Sequence, residues 1–581
     1  MPLYEIKKGS KMYVKKSKIP RYFSTRGYYL QIYETHYDKK KKITRNTCVK
    51  TIGFENDLRN QGIEDPFKHC AEIAKALTTE YNNKKRADKK KKIDESPKKY
   101  LGYFIFKNIL NALDMKREFS LLQLQKSFQF STYEVLEATM LSRFIYPCSK
   151  YKTRYEVIPQ TFEKYKFSYD QFLDGLNFLG NEYNKVIEIF NEKISKNYNW
   201  DTSSTYFDGT NFYFEIDCED GFRMKGPSKE NRALPLVSMG LMLDKNQIPL
   251  GLNMFAGNES EKPAMRDLIA KLKSTNNIKG KTVTVADKGL NCAKNIYEAR
   301  KQKDGYIFSK SVKQLPQTEL SWIFNCNNEW TEVSDPDGNI HYCFLECIDN
   351  YEYKMPDENR KITLKEKRIA TFNPSLQKKQ LKEINRMMEK AKNMCTYRAK
   401  KVEFGESGKY VNFKTEGKEK IGIELNHEKI NKDKQLAGYN MLVTSELNMS
   451  ATEVYDAYHQ LWRIEESFKI MKSELDGRPA FVQDKNTIIG HFLVCYLCVL
   501  LERLLEFVIL DNGFNYKEIT NMAKTLEVVK EKPGRYINIA QKSKLIFHLA
   551  RTLKIPIDNY YLEQSEIKKI LKNKLEIKPL H

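Results

Sequence analysis

The sequence has little of what a secreted or membrane protein needs. Its eleven cysteines are an odd number without the regular spacing of a disulfide framework, which favours reduced thiols. The stretch from Leu3 to Lys18 is basic and lacks the apolar core of a signal peptide. The longest apolar run, Phe492 to Leu501, is too short to span a bilayer. We therefore expect a cytoplasmic protein that does not cross a membrane.

Zinc-binding cysteine patterns are also weak. Cys495-x-x-Cys498 lies inside the apolar run and has no second pair, so a buried helix face is the better interpretation. Cys343-x-x-x-Cys347, with Cys326 upstream, is the other candidate metal pattern, and it is almost as weak. Neither pattern supports a structural zinc domain.

Positive charge is what the chain has in excess. Its net charge is +24, and residues 1–100 hold 26 Lys and Arg against 12 Asp and Glu. Clustered positive charge indicates a polyanionic partner, most often nucleic acid. The alternative is a solvated basic surface in a lysine-rich protein. An apolar content of 41% over 581 residues predicts a sizeable core and two to four domains.

The N-terminal part has the pattern of a small separate module. Residues from Tyr28 to Tyr33 and from Val49 to Phe54 are strand-like, and Lys39 to Lys42 between them predict a hairpin with a basic tip. A helix is expected over residues 65–82. The predicted domains are 1–82, basic and DNA-binding; 83–98, a charged linker; 99–200, helical; 201–314 with 439–510, mixed α/β; 315–438, a β-rich insertion; and 511–581, helical.

Two acids stand at strand positions of the mixed α/β segment. Asp208 lies in an alternating aromatic strand over residues 204–217, and an unpaired buried charge there would be costly. A bound divalent cation would explain it; an edge position or an arginine partner would also do. Asp287 follows a β-branched run, at the strand end where ligand sites of α/β sheets usually lie.

A third acid lies on a helix predicted over residues 450–475. Ser450 and Glu453 form a capping-box pattern, and apolar residues then recur at helical spacing. Glu465 sits at the border of that apolar face, and Tyr458 and Lys472 lie seven residues to either side of it, so the three share one edge. Glu466 is turned away by a further 100°. The three residues could hold a metal and its phosphates, or could be an ordinary surface pattern.

These residues resemble the insertion-sequence DDE transposases of bacteria whose third acid is marked by Tyr-x2-Arg-x3-Glu-x6-Lys. Tyr458, Glu465 and Lys472 match that signature, but Leu461 holds the arginine position and Arg463 follows two residues later. The resemblance covers about residues 200–480. Its other stretches are Asp208-Gly-Thr, Gly226-Pro-Ser-Lys-Glu-Asn-Arg232, Ile248-Pro-Leu, Gly257-Asn-x-Ser-Glu261, Ala286-Asp287-Lys-Gly and Arg478-Pro.

The resemblance implies a fold class: α/β, with a ribonuclease-H-like mixed sheet flanked by helices and a β-rich insertion between the second and third acids. Beside it we expect the small N-terminal α+β module and the helical domain. It also implies Asp208, Asp287 and Glu465 as the catalytic residues that bind two Mg²⁺ ions, for which Mn²⁺ could substitute. Tyr458, Lys472, Arg463 and Lys288 would contact DNA phosphates.

The implied partners are double-stranded DNA, as the terminal inverted repeats of a transposon and as target, and a second copy of the chain in a homodimer on DNA. The helix over residues 488–510 could serve that dimer contact or belong to the core. A bacterial protein of this kind would be associated with the nucleoid. Two alternatives stay open: an inactive DNA-binding derivative, and a ribonuclease-H-like nuclease without strand transfer.

Overall fold

The computed structural model describes residues 12–38, 43–90, 98–124, 126–227, 234–355, 361–396, 401–416 and 419–580. The chain divides into two compact units, Met1–Ser96 and Pro97–His581. The division falls within the charged stretch that the sequence predicts as a linker. The residues predicted as a separate helical domain, 99–200, belong to the second unit and share its main core.

The N-terminal unit is a three-stranded antiparallel sheet covered on one face by a long helix. Its elements are β1 (Tyr13–Ser17), α1 (Pro20–Arg26), β2 (Tyr29–Asp38), β3 (Ile43–Phe54), α2 (Glu55–Asn60) and α3 (Pro66–Lys90). Helix α3 continues eight residues beyond the predicted end at 82, because lysine, arginine and alanine favour helix. The predicted linker therefore begins later than residue 83. The predicted basic tip, residues 39–42, lies outside the described residues.

The second unit begins with helices and then forms a large sheet. Its elements up to that sheet's last strand are β4 (Lys98–Tyr100), α4 (Phe104–Ala112), α5 (Met115–Leu122), α6 (Thr132–Ile145), α7 (Lys150–Lys152), α8 (Tyr169–Asn181), α9 (Tyr183–Ile194), β5 (Ser204–Tyr213), β6 (Leu236–Leu243), β7 (Pro249–Ala256), α10 (Glu261–Ser274), β8 (Val283–Ala286), α11 (Ala293–Lys301), β9 (Gly305–Lys310), α12 (Gln317–Ile323), β10 (Thr331–Ser334), β11 (Ile340–Lys354), β12 (Lys361–Phe372), α13 (Pro374–Thr396), β13 (Val411–Glu416), β14 (Glu419–Leu425), α14 (His427–Gln435) and β15 (Tyr439–Thr444).

The remaining elements are mainly helical: α15 (Ala451–His459), α16 (Trp462–Lys469), α17 (Lys485–Arg503), α18 (Tyr516–Thr525), β16 (Glu527–Lys532), β17 (Arg535–Asn538), α19 (Lys544–Leu553), β18 (Tyr561–Glu563) and α20 (Gln564–Lys572). Strands β16, β17 and β18 join β4 in a four-stranded sheet. The C-terminal region, predicted as helical, therefore contains strands as well. The sequence did not reveal these strands because the alternation of charged and apolar residues in this region is short. In addition β4, the strand that pairs with β16, lies more than 400 positions away in the sequence.

The large sheet has nine strands in the order β10-β11-β12-β15-β9-β8-β5-β6-β7. Strand β8 runs parallel to β5 and to β9, and all other neighbours are antiparallel. The prediction of a mixed α/β fold with a large sheet flanked by helices is confirmed. Three strands of the predicted insertion, β10 to β12, extend this sheet beyond β15.

Helix α17 lies at the centre of the core. All but its first two residues are buried, because apolar side chains occur on every face of the helix and pack against the early helices and the sheet. The helix is therefore a core element and does not offer the dimer contact that the sequence left open. Among the described residues, no helix is both long and apolar enough to cross a membrane.

Candidate active site

Two aspartates meet at one level of the large sheet. The parallel strands β5 and β8 pair Phe207 with Ala286, so Asp208 and Asp287 each stand one position further along adjacent strands. Adjacent strands are about 4.8 Å apart. A Cβ at Gly209 would lie 2.5 Å from the Glu261 carboxylate, so a larger residue beside Asp208 would have to displace that side chain. The pairing thus brings together two acids that are 79 positions apart in sequence.

Asp287 is held by hydrogen bonds from three directions. The hydroxyl of Ser309 donates to Oδ1 at 2.9 Å, and the phenol of Tyr458 donates to the same atom at 3.0 Å. Partial burial acts to raise the pKa of Asp287, but the Lys288 amide, Ser309 and Tyr458 outweigh it and lower the pKa below its usual value. The carboxylate is therefore ionised at neutral pH and fixed in orientation.

Glu465 comes from a helical segment that is not one regular helix. The predicted capping box is present, since Ser450 and Glu453 each bond the other's backbone amide. After α15 the chain tightens, with Leu461 and Ile464 bonding three residues back, and after α16 it widens into a π-helical turn over Ile470–Glu474. A tight turn rotates successive side chains by more than an α-helix does, and a π-helical turn rotates them by less. The two changes therefore partly cancel between Tyr458 and Lys472.

Asp208, Asp287 and Glu465 all line one cavity. It has a volume of about 820 Å³ and is lined by Asp208, Gly209, Thr210, Asp287, Tyr458, His459, Leu461, Trp462, Ile464, Glu465, Phe468, Lys469, Lys472, Ser473 and Arg478. Lys472 donates to Oγ1 of Thr210 at 2.6 Å. Three acids thus share the cavity with three cationic side chains, Lys469, Lys472 and Arg478, an arrangement suited to both a cation and a phosphate.

Glu466 has a different surrounding from Glu465. It accepts a hydrogen bond of 2.7 Å from Arg503, which is completely buried and also donates to Glu506 at 2.6 Å. Glu465, one position earlier, is exposed in the cavity. The predicted helical register thus agrees with the positions of these two neighbours.

Two of the predicted phosphate contacts lie away from the cavity lining. Arg463 stacks on Trp462 at 4.0 Å from the ring centre and lies 3.5 Å from Glu466, on the far side of the helix. Lys288 is exposed beyond Asp287; its backbone amide bonds the Asp287 carboxylate, and its side-chain charge also lowers the pKa of that carboxylate. Tyr458 and Lys472 do line the cavity, where their described partners are Asp287 and Thr210.

A buried cluster of three basic side chains, Arg143, Lys150 and His491, holds the chain directly after the π-helical turn. Arg143 Nη1 donates to the carbonyls of Leu475 at 3.1 Å and Asp476 at 3.0 Å. His491 Nε2 lies 2.9 Å from the Gly477 carbonyl, which can only accept, so that nitrogen carries the proton. These three carbonyls precede Arg478, so the cluster holds one wall of the cavity.

The other nitrogen of His491 must then accept. Nδ1 lies 2.7 Å from Lys150 Nζ and 3.2 Å from Arg143 Nη2. Burial, and then the charges of Lys150 and Arg143, hold the pKa of His491 well below its usual value. The imidazole is therefore neutral in the folded protein.

The chemistry of the acids fits a hard divalent cation. Mg²⁺ prefers carboxylate and phosphate oxygens, and the cavity offers three carboxylates, one of them with a lowered pKa. In the part of the chain that the structure describes, no three acidic, histidine or cysteine side chains converge closely enough to form a ready metal site. The fit therefore rests on the donor types and on the cavity they share.

Sequence reasoning missed several residues of the site. Ser309 orients Asp287 from the end of β9, and Lys469 supplies positive charge. Arg478, which the sequence marked only as part of the Arg478-Pro stretch without a role, supplies positive charge as well. The signal for Lys469 was its spacing of four from Glu465 on one helix face. Ser309 carried no signal, because its role depends on strand pairing between β8 and β9.

Comparison with known proteins gives one family. A family model described as the transposase DDE domain matches residues 200–501, just over half of the chain, a stretch that includes all three acids. Among solved structures the chain is similar to the piggyBac transposase in a cryo-EM synaptic complex with hairpin DNA. The TM-score is 0.36 and the identity 10%, over 73% of this chain and 79% of that one. No curated protein sequence matches the chain.

Proposed function

The chain belongs to the transposase DDE domain family, and on that premise we propose that it is a DNA transposase of a bacterial insertion sequence. It would bind the terminal inverted repeats of its transposon, cleave them in a Mg²⁺-dependent reaction and join them to target DNA. The proposal includes the Tyr-x2-Arg-x3-Glu-x6-Lys group of these enzymes and action as a homodimer on DNA at the nucleoid.

One observation carries the proposal. Asp208, Asp287 and Glu465 come from two strands and a helix, and their side chains line a single cavity within the matched family domain. Three carboxylates would serve to hold two metal ions for an in-line phosphoryl transfer, and the basic neighbours would bind the phosphates. The neighbouring Glu466, which is committed to Arg503, has no part in this role.

The chain's own residues then have distinct tasks. Asp208, Asp287 and Glu465 would hold the two ions, which when bound activate the attacking oxygen and stabilise the leaving one. Lys472, Lys469 and Arg478 would contact the phosphates of the bound strand. Tyr458 would hold the Asp287 carboxylate in orientation, a task beside or instead of the predicted phosphate contact.

The order of reaction follows from this arrangement. Water would first attack the phosphate at the transposon end and leave a 3′-hydroxyl. That hydroxyl would then attack a phosphate of the target strand in an in-line displacement. Neither step requires a covalent bond between the protein and DNA, so none of the cavity's side chains needs to act as a nucleophile.

A strand-transfer assay tests the proposal. The full chain is mixed with Mg²⁺, a supercoiled plasmid and a labelled duplex taken from the DNA that flanks the coding sequence, already cut to expose its 3′-hydroxyl. We expect the label to become covalently joined to the plasmid. The same duplex ending in a 3′-deoxynucleotide is the control and should give no joined product.

The assay also separates the two alternatives. A nuclease without strand transfer would cut an intact duplex but leave the label on short fragments. An inactive DNA-binding derivative would retain the duplex in a gel shift and produce neither cleavage nor joining. Either result would contradict the proposed function.

A further inference from the structure

The N-terminal sheet has one covered face and one open face. Side chains alternate between the faces of a strand, and Leu30, Ile32 and Val14 point toward α3 and pack with its apolar side. The opposite positions form what we call the open face: Tyr13, Lys15, Tyr29, Gln31, Tyr33, Thr35, Asn46, Cys48 and Thr51. Within this unit only α1 approaches it among the described residues, at the Tyr29 end, where Tyr22 contacts Phe54.

The open face consists of amides, hydroxyls, aromatic rings and the Cys48 thiol, with one lysine. Strand registers confirm the grouping, since Tyr13 pairs with Tyr33 and Lys15 pairs with Gln31. Lys15 Nζ lies 4.6 Å from the centre of the Tyr33 ring. A face of this composition, which is half-buried to exposed, is unlike the apolar face of a sheet that packs on another sheet.

Two of its polar side chains are already oriented. The hydroxyl of Thr35 donates to Oδ1 of Asn46 at 2.8 Å. Gln31 Nε2 lies 3.5 Å from Cys48 Sγ across the β2–β3 pair. The two carboxamides therefore stand on neighbouring strands with defined directions.

Negative charge is kept off this face. Every described acidic side chain of the unit lies elsewhere: Glu34, Glu55, Asp57, Glu64, Asp65, Glu72 and Glu80. Glu34 is on the covered side, where its charge, after burial, helps to raise the pKa of Tyr81 on α3. The unit thus separates its acids from the open face, which favours a polyanion as the occupant.

We propose that the open face reads the bases of double-stranded DNA in the major groove, with Gln31 and Asn46 contacting base edges and Lys15 contacting phosphate. Gln31 on β2 and Asn46 on β3 belong to one antiparallel strand pair, and a groove about 12 Å wide admits a two-stranded ribbon; Lys15 stands on the flanking strand β1. Glutamine and asparagine can form paired hydrogen bonds with adenine there, and tyrosine and threonine hydroxyls bond phosphates. The inference rests on the proposed function, since it names the surface that recognises the transposon ends.

The test is a binding selection that needs no cleavage. The full chain is incubated with a pool of 30-base-pair duplexes of random sequence, and the retained fraction is sequenced over successive rounds. We expect a motif to be enriched. The Gln31→Ala Asn46→Ala double variant should then lose at least about tenfold of its preference for the selected duplex over the unselected pool. Its affinity for the unselected pool should stay within twofold.

Matched variants separate base reading from charge. Lys15→Ala should weaken both duplexes equally and make the salt dependence shallower. Lys75→Ala removes the same charge from an exposed position on α3, and should change neither the preference nor the motif. Gln31→Glu keeps the side-chain size but adds a carboxylate to the face, and should abolish the preference.

Three results would overturn the inference: no enrichment of any motif by the full chain, an unchanged preference in the double variant, or equal competition by an RNA duplex of the selected sequence, whose major groove is too narrow for a sheet. If the full chain enriches a motif but joins no DNA in the strand-transfer assay, that result contradicts the proposed function alone. The two failures can therefore be distinguished.

Discussion

Tyr458 donates its phenolic hydrogen to Oδ1 of Asp287 at 3.0 Å, joining a helix to the end of a strand 171 positions earlier. In the folded protein, burial and then the charge of Asp287 raise the pKa of this phenol. The phenol therefore remains a donor throughout the physiological pH range. The contact gives Tyr458 a task that its place in the sequence signature alone does not reveal.

Removing that donor should shift the pH dependence of cleavage. Tyr458→Phe keeps the ring but deletes one of the hydrogen bonds that lower the pKa of Asp287, so the pKa should rise. An acid with a raised pKa loses its ionised form at a higher pH. We expect the acidic limb of the cleavage rate to move to higher pH, with more activity lost at pH 6 than at pH 8. An equal loss at both values would contradict this role.

Glu466 should matter for stability and not for chemistry. Glu466→Ala leaves the buried Arg503 with one fewer acceptor, which we expect to lower the free energy of unfolding by about 2 kcal/mol. Glu465→Ala, at an exposed position one residue earlier, should change it by less than about 0.5 kcal/mol. Urea denaturation of both variants measures the difference. A larger effect from Glu465→Ala would mean that the two side chains are exchanged.

The cluster around His491 should hold the cavity wall in place. Arg143→Met leaves the carbonyls of Leu475 and Asp476 buried without this donor, and should lower the free energy of unfolding by about 3 kcal/mol. It should also slow cleavage at a temperature where the protein is fully folded. Arg478 lines the cavity and closely follows Leu475 and Asp476 in the chain, so loss of their anchor should displace it.

Arg154→Met provides the control, since Arg154 donates to the Phe167 carbonyl outside the cavity lining. This variant should lose stability and keep its cleavage rate in the folded state. If the Arg143 and Arg154 variants cleave equally well when folded, the wall does not depend on the cluster.

Stability should fall between about pH 4 and 7 through Asp244. Burial raises the pKa of Asp244 to about 7 in the folded protein, with hydrogen bonds from Tyr198 and Ile248 opposing that rise. Its contribution is fully present below the unfolded pKa and is lost as pH rises through the folded value. Asp244→Asn should show a smaller decline in urea midpoint across this range. A decline as steep as that of the parent chain would contradict the shifted pKa.

Local sequence patterns predicted the helices and strands better than the irregular turns that connect or interrupt them. The alternating aromatics around Asp208 and the β-branched run before Asp287 predicted strands, and both are present. The apolar spacing around Glu465 predicted a helix but not its interruption, because Leu461 and Ile464 keep a helical rhythm through the tight turn. The capping box, which depends on residues three apart, is present as predicted.

Contacts between segments that are far apart in the sequence could not be predicted from the sequence. The pairing of β4 with β16 and the ion pair of Glu466 with Arg503 depend on packing between segments far apart in the sequence. Arg463 shows the same limit: its position two residues after the arginine site of the signature suggested a phosphate contact, whereas Trp462 and Glu466 hold it outside the cavity lining. A residue's spacing predicts which face it occupies, and only the neighbouring elements decide what it meets.

Cleavage by Glu465→Gln compared with Glu466→Gln is the most direct measurement. Both changes remove one charge from adjacent positions of the same helix, and duplex binding by gel shift controls for loss of the fold. We expect Glu465→Gln to lower the Mg²⁺-dependent cleavage rate by more than about a hundredfold. Loss of a residue that only hydrogen-bonds to a metal ligand already costs about 10- to 100-fold, and Glu465 would bind the metal itself. Asp208→Asn and Asp287→Asn should behave alike, and Glu466→Gln should cleave at close to the parent rate. Normal cleavage by Glu465→Gln would contradict the account.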